Sequence, residues 1–475
     1  MNGQSPPTRF TRPIRVGLLT PYFAFFESRF PADYRPSQEG YARGLADGLR
    51  AAGLEVTESG LVHGTQSAAE ARDRFAAAGV EIVVAAATMA APPTYGSEAL
   101  AGFDGPIVVW DDKRAGRFAR DVDEVEATRA SSVLGSIMLA NVLGREGRSY
   151  LTVSTVGGDA TDVVRAVRGA AAAAALRGAR LGLLGGIIPG YGDVVLDAVT
   201  ARALGVELVP IGAVAIDAAY ESAQGALDLA TLPASLAPTP EARPLVERSL
   251  RVHRFLSTIA ADAGLDGLAL NCHSDVLRFS DALGVVSCLA SSMLWSSGLP
   301  VACTGDGATA VALMLATRIA GSAQYCEGYT VEADTGELVV SSCGMADLTL
   351  RKPGETARLC PNELYPGAHG LGLAARFEFD AGPATIAAFG PATPSLPARL
   401  VISAGRLTGR GFEHLNGPSG TITFDQPGAG SASAAWIDAG PAHHLALVRG
   451  DRTVEYQAAA RFLGIPLITV RSGSS

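Results

Sequence analysis

The sequence predicts two parallel-sheet α/β domains followed by a small all-β barrel or sandwich. Up to about residue 330, short Val/Ile/Leu-rich runs alternate with alanine-rich, helix-favouring stretches, the pattern of a parallel sheet covered on both faces. From Val331 onward the helices give way to short alternating segments, punctuated by Gly and Pro every ~8–12 residues. At about 150 residues per domain, a chain of 475 residues is expected to form about three domains.

In order, 15–20, 81–86 and 106–110 read as buried strands, with helices at 40–52 and 68–78 between the first two and a helix at 124–143 leading onward. A second set opens with strand 150–156 and an alanine-rich helix to Leu176. Strand 180–184, helix 194–204 and strand 206–211 follow, then a proline-bearing loop at 231–244, helix 245–263 and strand 267–271. Residues 300–306 read as a strand ending in polar residues before a helix at 309–319. The β region contributes 337–342, 376–379, 384–389, 399–403 and 421–424, and a helix at 456–463 and strand at 466–470 close the chain. The expected domains are 1–149, 150–328 and 329–475.

Composition removes several function classes. With 48% hydrophobic and 18% charged residues the chain is globular rather than disordered. A net charge of −9 lacks the basic footprint of a nucleic-acid or anionic-membrane binder. No run of about 18 apolar residues and no signal-peptide core occur, so a cytoplasmic protein is expected. All basic residues but Lys113 and Lys352 are arginine, and both lysines sit in polar, turn-like settings unsuited to Schiff-base chemistry. The six cysteines form no CxxC pair and read as buried thiols.

The glycine-rich loop 185–193, containing Tyr191, joins a strand to a helix but does not spell GxGxxG, and no GxSxG elbow exists. Four stretches carry candidate chemistry. Asp306 ends a strand just before a helix, where a catalytic carboxylate belongs in an open α/β sheet, and where a helix N-cap is the competing role. Glu327 is flanked by Tyr325, Cys326 and Tyr329. Asn271 and His273 follow a buried strand. His443 and His444 lie between a Gly-Pro turn and a strand, whose side-chain alternation would send only one of them into a site.

The succession of Asn271-Cys272, Cys288-Leu289-Ala290, residues 298–306, Tyr325-Cys326-Glu327 and His443-His444 with Gly450-Asp451 resembles the L-fucose and L-arabinose isomerase group. The likeness is most specific from about Leu265 onward and extends to 182–213. It implies two Rossmann-like parallel-sheet α/β domains followed by a small β-barrel domain, in a cytoplasmic homotrimer or homohexamer. A mean hydropathy of +0.23 agrees with extensive apolar burial. It further implies a metal-assisted aldose–ketose isomerase that works on a sugar through an enediol, with Mn²⁺ chelating the substrate oxygens. On that basis Glu327, Asp306, His443 and His444 are the candidate metal ligands, Glu327 and Asp306 the candidate catalytic groups, and Asn271, His273, Thr304 and Tyr191 the candidate sugar contacts.

The group usually shows Cys-Glu-x-Asp where this chain has Cys303-Thr304-Gly305-Asp306, and Ser342 stands near the place of a further histidine ligand. Standard arabinose or fucose isomerase activity is therefore not expected. An isomerase of another sugar, an epimerase or lyase sharing the enediol, and a non-catalytic sugar-binding protein are the three readings. If 300–306 is extended, positions 304 and 306 face the same side, so that Asp306 stands in for the missing glutamate.

Overall fold

The computed structural model describes residues 12–114, 116–272, 285–362, 364, 372–424 and 429–470. The chain divides into two compact units, one of residues 13–174 with 457–464 and the other holding the remainder. Among the described residues no helix is long and apolar enough to cross a membrane.

In the first unit, β1 (Arg15–Pro21), β2 (Glu55–Val62), β3 (Ile82–Ala85), β4 (Ile107–Lys113) and β5 (Tyr150–Val156) pair in parallel in the order β2-β1-β3-β4-β5. The central strands are buried on both faces, which is why they read as continuous apolar runs. Two differences from the sequence-based expectation have simple causes. β2 is a partly exposed edge strand with a polar sequence, so hydrophobic pattern does not reveal it. β5 pairs with β4 from Ile107↔Tyr150 to Lys113↔Val156, so the strand expected to open a second domain completes the first sheet. Alternation of strand and helix does not say which sheet a strand joins. The expected helix at 124–143 is two helices, Glu124–Arg129 and Ser132–Arg145.

In the second unit, β6 (Arg180–Leu184), β7 (Glu207–Pro210), β9 (Gly267–Leu270) and β10 (Val301–Ala302) form a parallel sheet in the order β10-β9-β6-β7. Their core is built with helix Arg243–Asp262 through Phe255, Leu256, Leu268 and Val301. Strand β8 (Leu236–Pro238) instead pairs with β13 (Ala357–Pro361), which pairs with β14 (Leu373–Arg376).

The remaining strands make a closed barrel. β11 (Gln324–Val331), β12 (Leu338–Ser341), β15 (Gly382–Gly390), β16 (Arg399–Leu407), β17 (Ser419–Phe424) and β18 (His444–Arg449) run antiparallel in the order β15-β18-β11-β12-β17-β16. Pairing of β15 with β16 closes it, and β19 (Leu467–Thr469) adds to β16 in parallel. Closure removes the exposed strand edges that a sandwich would leave. Its interior packs Cys326, Val340, Ile386, Ile422, Leu445 and Leu447. The expected boundary at 328/329 falls inside β11, so Glu327 is a barrel residue.

Helix Gly307–Ala320 packs against β6 and β9 of the sheet and against β15 and β18 of the barrel. Every residue from Gly307 to Ile319 is buried, as its all-round apolar composition requires. This helix sets the end of β10 against the outer face of the barrel.

Candidate active site

Strands β6, β9 and β10 are parallel, so their carboxyl ends and the loops that follow lie together, at the edge where α/β sheets carry their chemistry. The Gly305 N–H donates to the Leu270 carbonyl at 3.1 Å, the Ile188 N–H to the Thr304 carbonyl at 3.4 Å, and the Asn271 side-chain amide to the Gly185 carbonyl at 3.1 Å. Gly305 has φ 75°, and a Cβ there would come within 2.0 Å of the Gly186 carbonyl oxygen, so only glycine fits. Thr304 has φ 60° and is the single non-glycine residue with positive φ among the described residues.

The segment after Ala302 therefore turns, and the expectation that 304 and 306 share one face of an extended strand does not hold. Thr304 instead donates its hydroxyl to the Cys303 carbonyl at 2.7 Å.

Asp306 is the N-cap of helix Gly307–Ala320 and accepts from the Thr309 N–H at 2.6 Å. Its other oxygen lies 2.8 Å from Nδ1 of His444, and the side chain is fully buried. The two competing roles are thus both partly realised, since Asp306 caps the helix and orients a histidine. It does not face a cavity as a direct ligand.

His444 begins β18 directly opposite Glu327 on β11, and its Nε2 lies 3.4 Å from the Glu327 carboxylate. The imidazole is thereby held between two carboxylates, with the Tyr325 ring 4.6 Å away. Burial works against the charged imidazole, but the hydrogen bonds and charges of Asp306 and Glu327 outweigh it and raise the His444 pKa to about 9. The Glu327 side chain keeps 34% of its surface and is the open member of the trio, whereas His444 keeps 2%.

His443 lies in the turn before β18 and escapes strict strand alternation. Its ring centroid is 3.8 Å from that of His444, so both histidines join one cluster, contrary to the expectation that they diverge. Asp193 holds it twice, accepting from its backbone N–H at 3.1 Å and lying 2.6 Å from Nδ1. Burial alone would raise the Asp193 pKa, and the bonds from His443 hold it below the usual carboxylate value. Tyr191 packs edge-on against His443 at 5.1 Å.

Sequence reasoning found Glu327, Asp306, His443, His444 and Tyr191, which the fold brings together. It placed Asn271 and Thr304 as sugar contacts, but their polar groups bond to the loop backbone. His273 lies outside the described residues. Asp193 and Tyr325 were missed as site residues, although Asp193 stands two residues beyond Tyr191 in the Gly-rich loop.

A Mn²⁺ site needs several hard donors with free lone pairs. Glu327 and His444 Nε2 converge and His443 keeps Nε2, but Asp306 is buried and bonded to Thr309 and His444, and the Ser342 hydroxyl donates to the Met345 carbonyl at 2.6 Å. Among the described residues no group of three or more His, Cys, Asp or Glu side chains is arranged to hold a metal ion. As placed, the described residues do not assemble a resident Mn²⁺ site.

No family model and no curated protein matches the chain. Among solved structures, a mutant of D-threo-3-hydroxyaspartate dehydratase in the metal-free form aligns with 93% of this chain and 85% of its own at 14% identity. The TM-score is 0.14, far below that of a shared fold.

Proposed function

We propose that the protein is a sugar isomerase, an intramolecular oxidoreductase that interconverts the aldose and ketose forms of a sugar or sugar derivative through an enediol. The observation that carries this reading is His444, held between the buried Asp306 and the partly open Glu327. Enediol chemistry needs a carboxylate base next to a carbon acid and a rigid donor at the neighbouring oxygen.

Glu327 removes the proton from the hydroxyl-bearing carbon beside the carbonyl. His444, aligned by Asp306, donates its Nε2–H to the carbonyl oxygen as negative charge develops there. Collapse of the enediol returns the proton from Glu327 to the former carbonyl carbon, while the second enediol hydroxyl gives its proton to His444 and becomes the ketone carbonyl. No net proton, electron or group is consumed.

The resemblance to the L-fucose and L-arabinose isomerase group, and the division of the second unit into a Rossmann-like sheet and a barrel, support the same reading. Loss of the group's glutamate at Thr304 favours one second reading, a protein that binds sugar without turning it over.

A screen of aldoses and ketoses, with and without Mn²⁺ or a chelator, separates these readings. The isomerase reading expects turnover of at least one sugar, unchanged by chelation and reduced about 10²–10⁴-fold in Glu327→Gln. Saturable sugar binding with no turnover by the parent protein favours the second reading. Activity that vanishes on chelation and returns with Mn²⁺ contradicts the metal-independent assignment of His444.

A further inference from the structure

Beside the packed barrel core lies a cavity of about 430 Å³, walled by a residue from each of the six closing strands: Gly328, Leu338, Ile386, Ser403, Phe424 and Leu445. Helix Ala429–Asp438 covers it through Ala432, Trp436 and Ile437.

The cavity adjoins the Glu327–His444 site and shares His443 with it, but strand geometry keeps the Glu327 and His444 side chains off its wall. Side chains alternate along β11 and β18, so Cys326, Leu445 and Leu447 point into the barrel core while Glu327 and His444 point out of it. Gly328 contributes no side chain to the wall, and Leu338 packs against it so closely that a Cβ there would come within 3.1 Å.

The chemistry of the lining selects the ligand. Ser403 is already satisfied by the Val470 carbonyl at 3.0 Å, so the deep wall offers apolar surface. Phe424 and Trp436 add two aromatic faces. Apolar cavities of even about 150 Å³ stay dry and take up benzene, and pockets that bind small molecules begin at about 300 Å³. His443 is also in the lining, with Nδ1 pinned by Asp193 and Nε2 left for a polar group on the ligand.

We propose that the barrel lumen is a binding site for a small aromatic molecule of two or three rings bearing a hydroxyl, its rings against Phe424 and Trp436 and its hydroxyl at His443. The site does not depend on the isomerase reading.

The test is calorimetric titration of the full-length protein with 2-naphthol at several temperatures. Saturable one-site binding with a dissociation constant of about 10–500 µM and a negative heat-capacity change is expected. Ala432→Phe, which fills the cavity, should weaken binding at least tenfold, and Trp436→Ala, which removes an aromatic wall, at least fivefold. Glu327→Gln should bind as the parent does.

Absence of saturable heat up to the solubility of 2-naphthol overturns the proposal, as does parent-like binding by both folded cavity variants. If Ala432→Phe fails to fold, Trp436→Ala decides alone: weakened binding supports the site and parent-like binding overturns it. A loss of 2-naphthol binding in Glu327→Gln also overturns it, because the ligand would then sit on Glu327, outside the lumen.

Discussion

His444 carries a stability signature that follows from its surroundings. Its pKa is about 6.5 in an unfolded chain and about 9 in the fold, so the native state holds the proton more tightly. The stabilisation, about 3 kcal/mol from that difference, is fully present below pH 6.5. It is lost as pH rises through about 9, and urea unfolding between pH 6 and 10 should show the decline. Asp306→Asn keeps an N-cap but removes the larger of the two charge partners, so the His444 ring titration, followed by NMR, should move down toward 6.5. An unchanged titration would mean that Asp306 acts as a cap alone. At this scale the sequence revealed residue types well. Glu327, Asp306 and the His443-His444 pair stand out as polar groups in apolar or turn contexts. The bond between Asp193 and His443 spans 250 positions and has no local signal.

The turn 303–306 decides what the element-scale reading missed. A strand ending in Thr-Gly-Asp before a helix is legible, but its register is not, because one positive φ at Thr304 and another at Gly305 rotate the chain out of the extended form. Gly305→Ala should destabilise the protein by more than about 2 kcal/mol in urea unfolding, since it adds both strain and a Cβ against Gly186. A loss under about 0.5 kcal/mol would show that the loops after β6 and β10 do not pack as described. The apolar helix Gly307–Ala320 and the amphipathic helix Arg243–Asp262 were legible from composition and periodicity. The edge strand β2 and the short β8 and β13 were not, because their pairing rather than their pattern makes them strands.

For the molecule as a whole, the α/β character and the change of texture near Val331 were readable, whereas the allocation of β5 to the first sheet and the closing of the barrel by β15 with β16 depend on contacts far apart in sequence. The resemblance implies a homotrimer or homohexamer, and the first unit offers a place for a subunit contact. Helix Ser132–Arg145 exposes Leu134 and Ile137 by 55% and 60%, with Val133 and Met138 beside them. We propose this apolar row as the contact that the expected assembly would bury. Light scattering should find the parent as an oligomer and Ile137→Glu as a smaller species; a monomeric parent would refute the assembly. Proton transfer through an enediol by Glu327 and His444, as proposed, is open to test by proton NMR of candidate sugars incubated with the protein in D₂O. Deuterium should enter the carbon next to the carbonyl of one aldose–ketose pair, and Glu327→Gln should slow that entry by at least about 10²-fold. Exchange at the parent rate in folded Glu327→Gln, or none in any sugar the parent protein binds, would contradict the account.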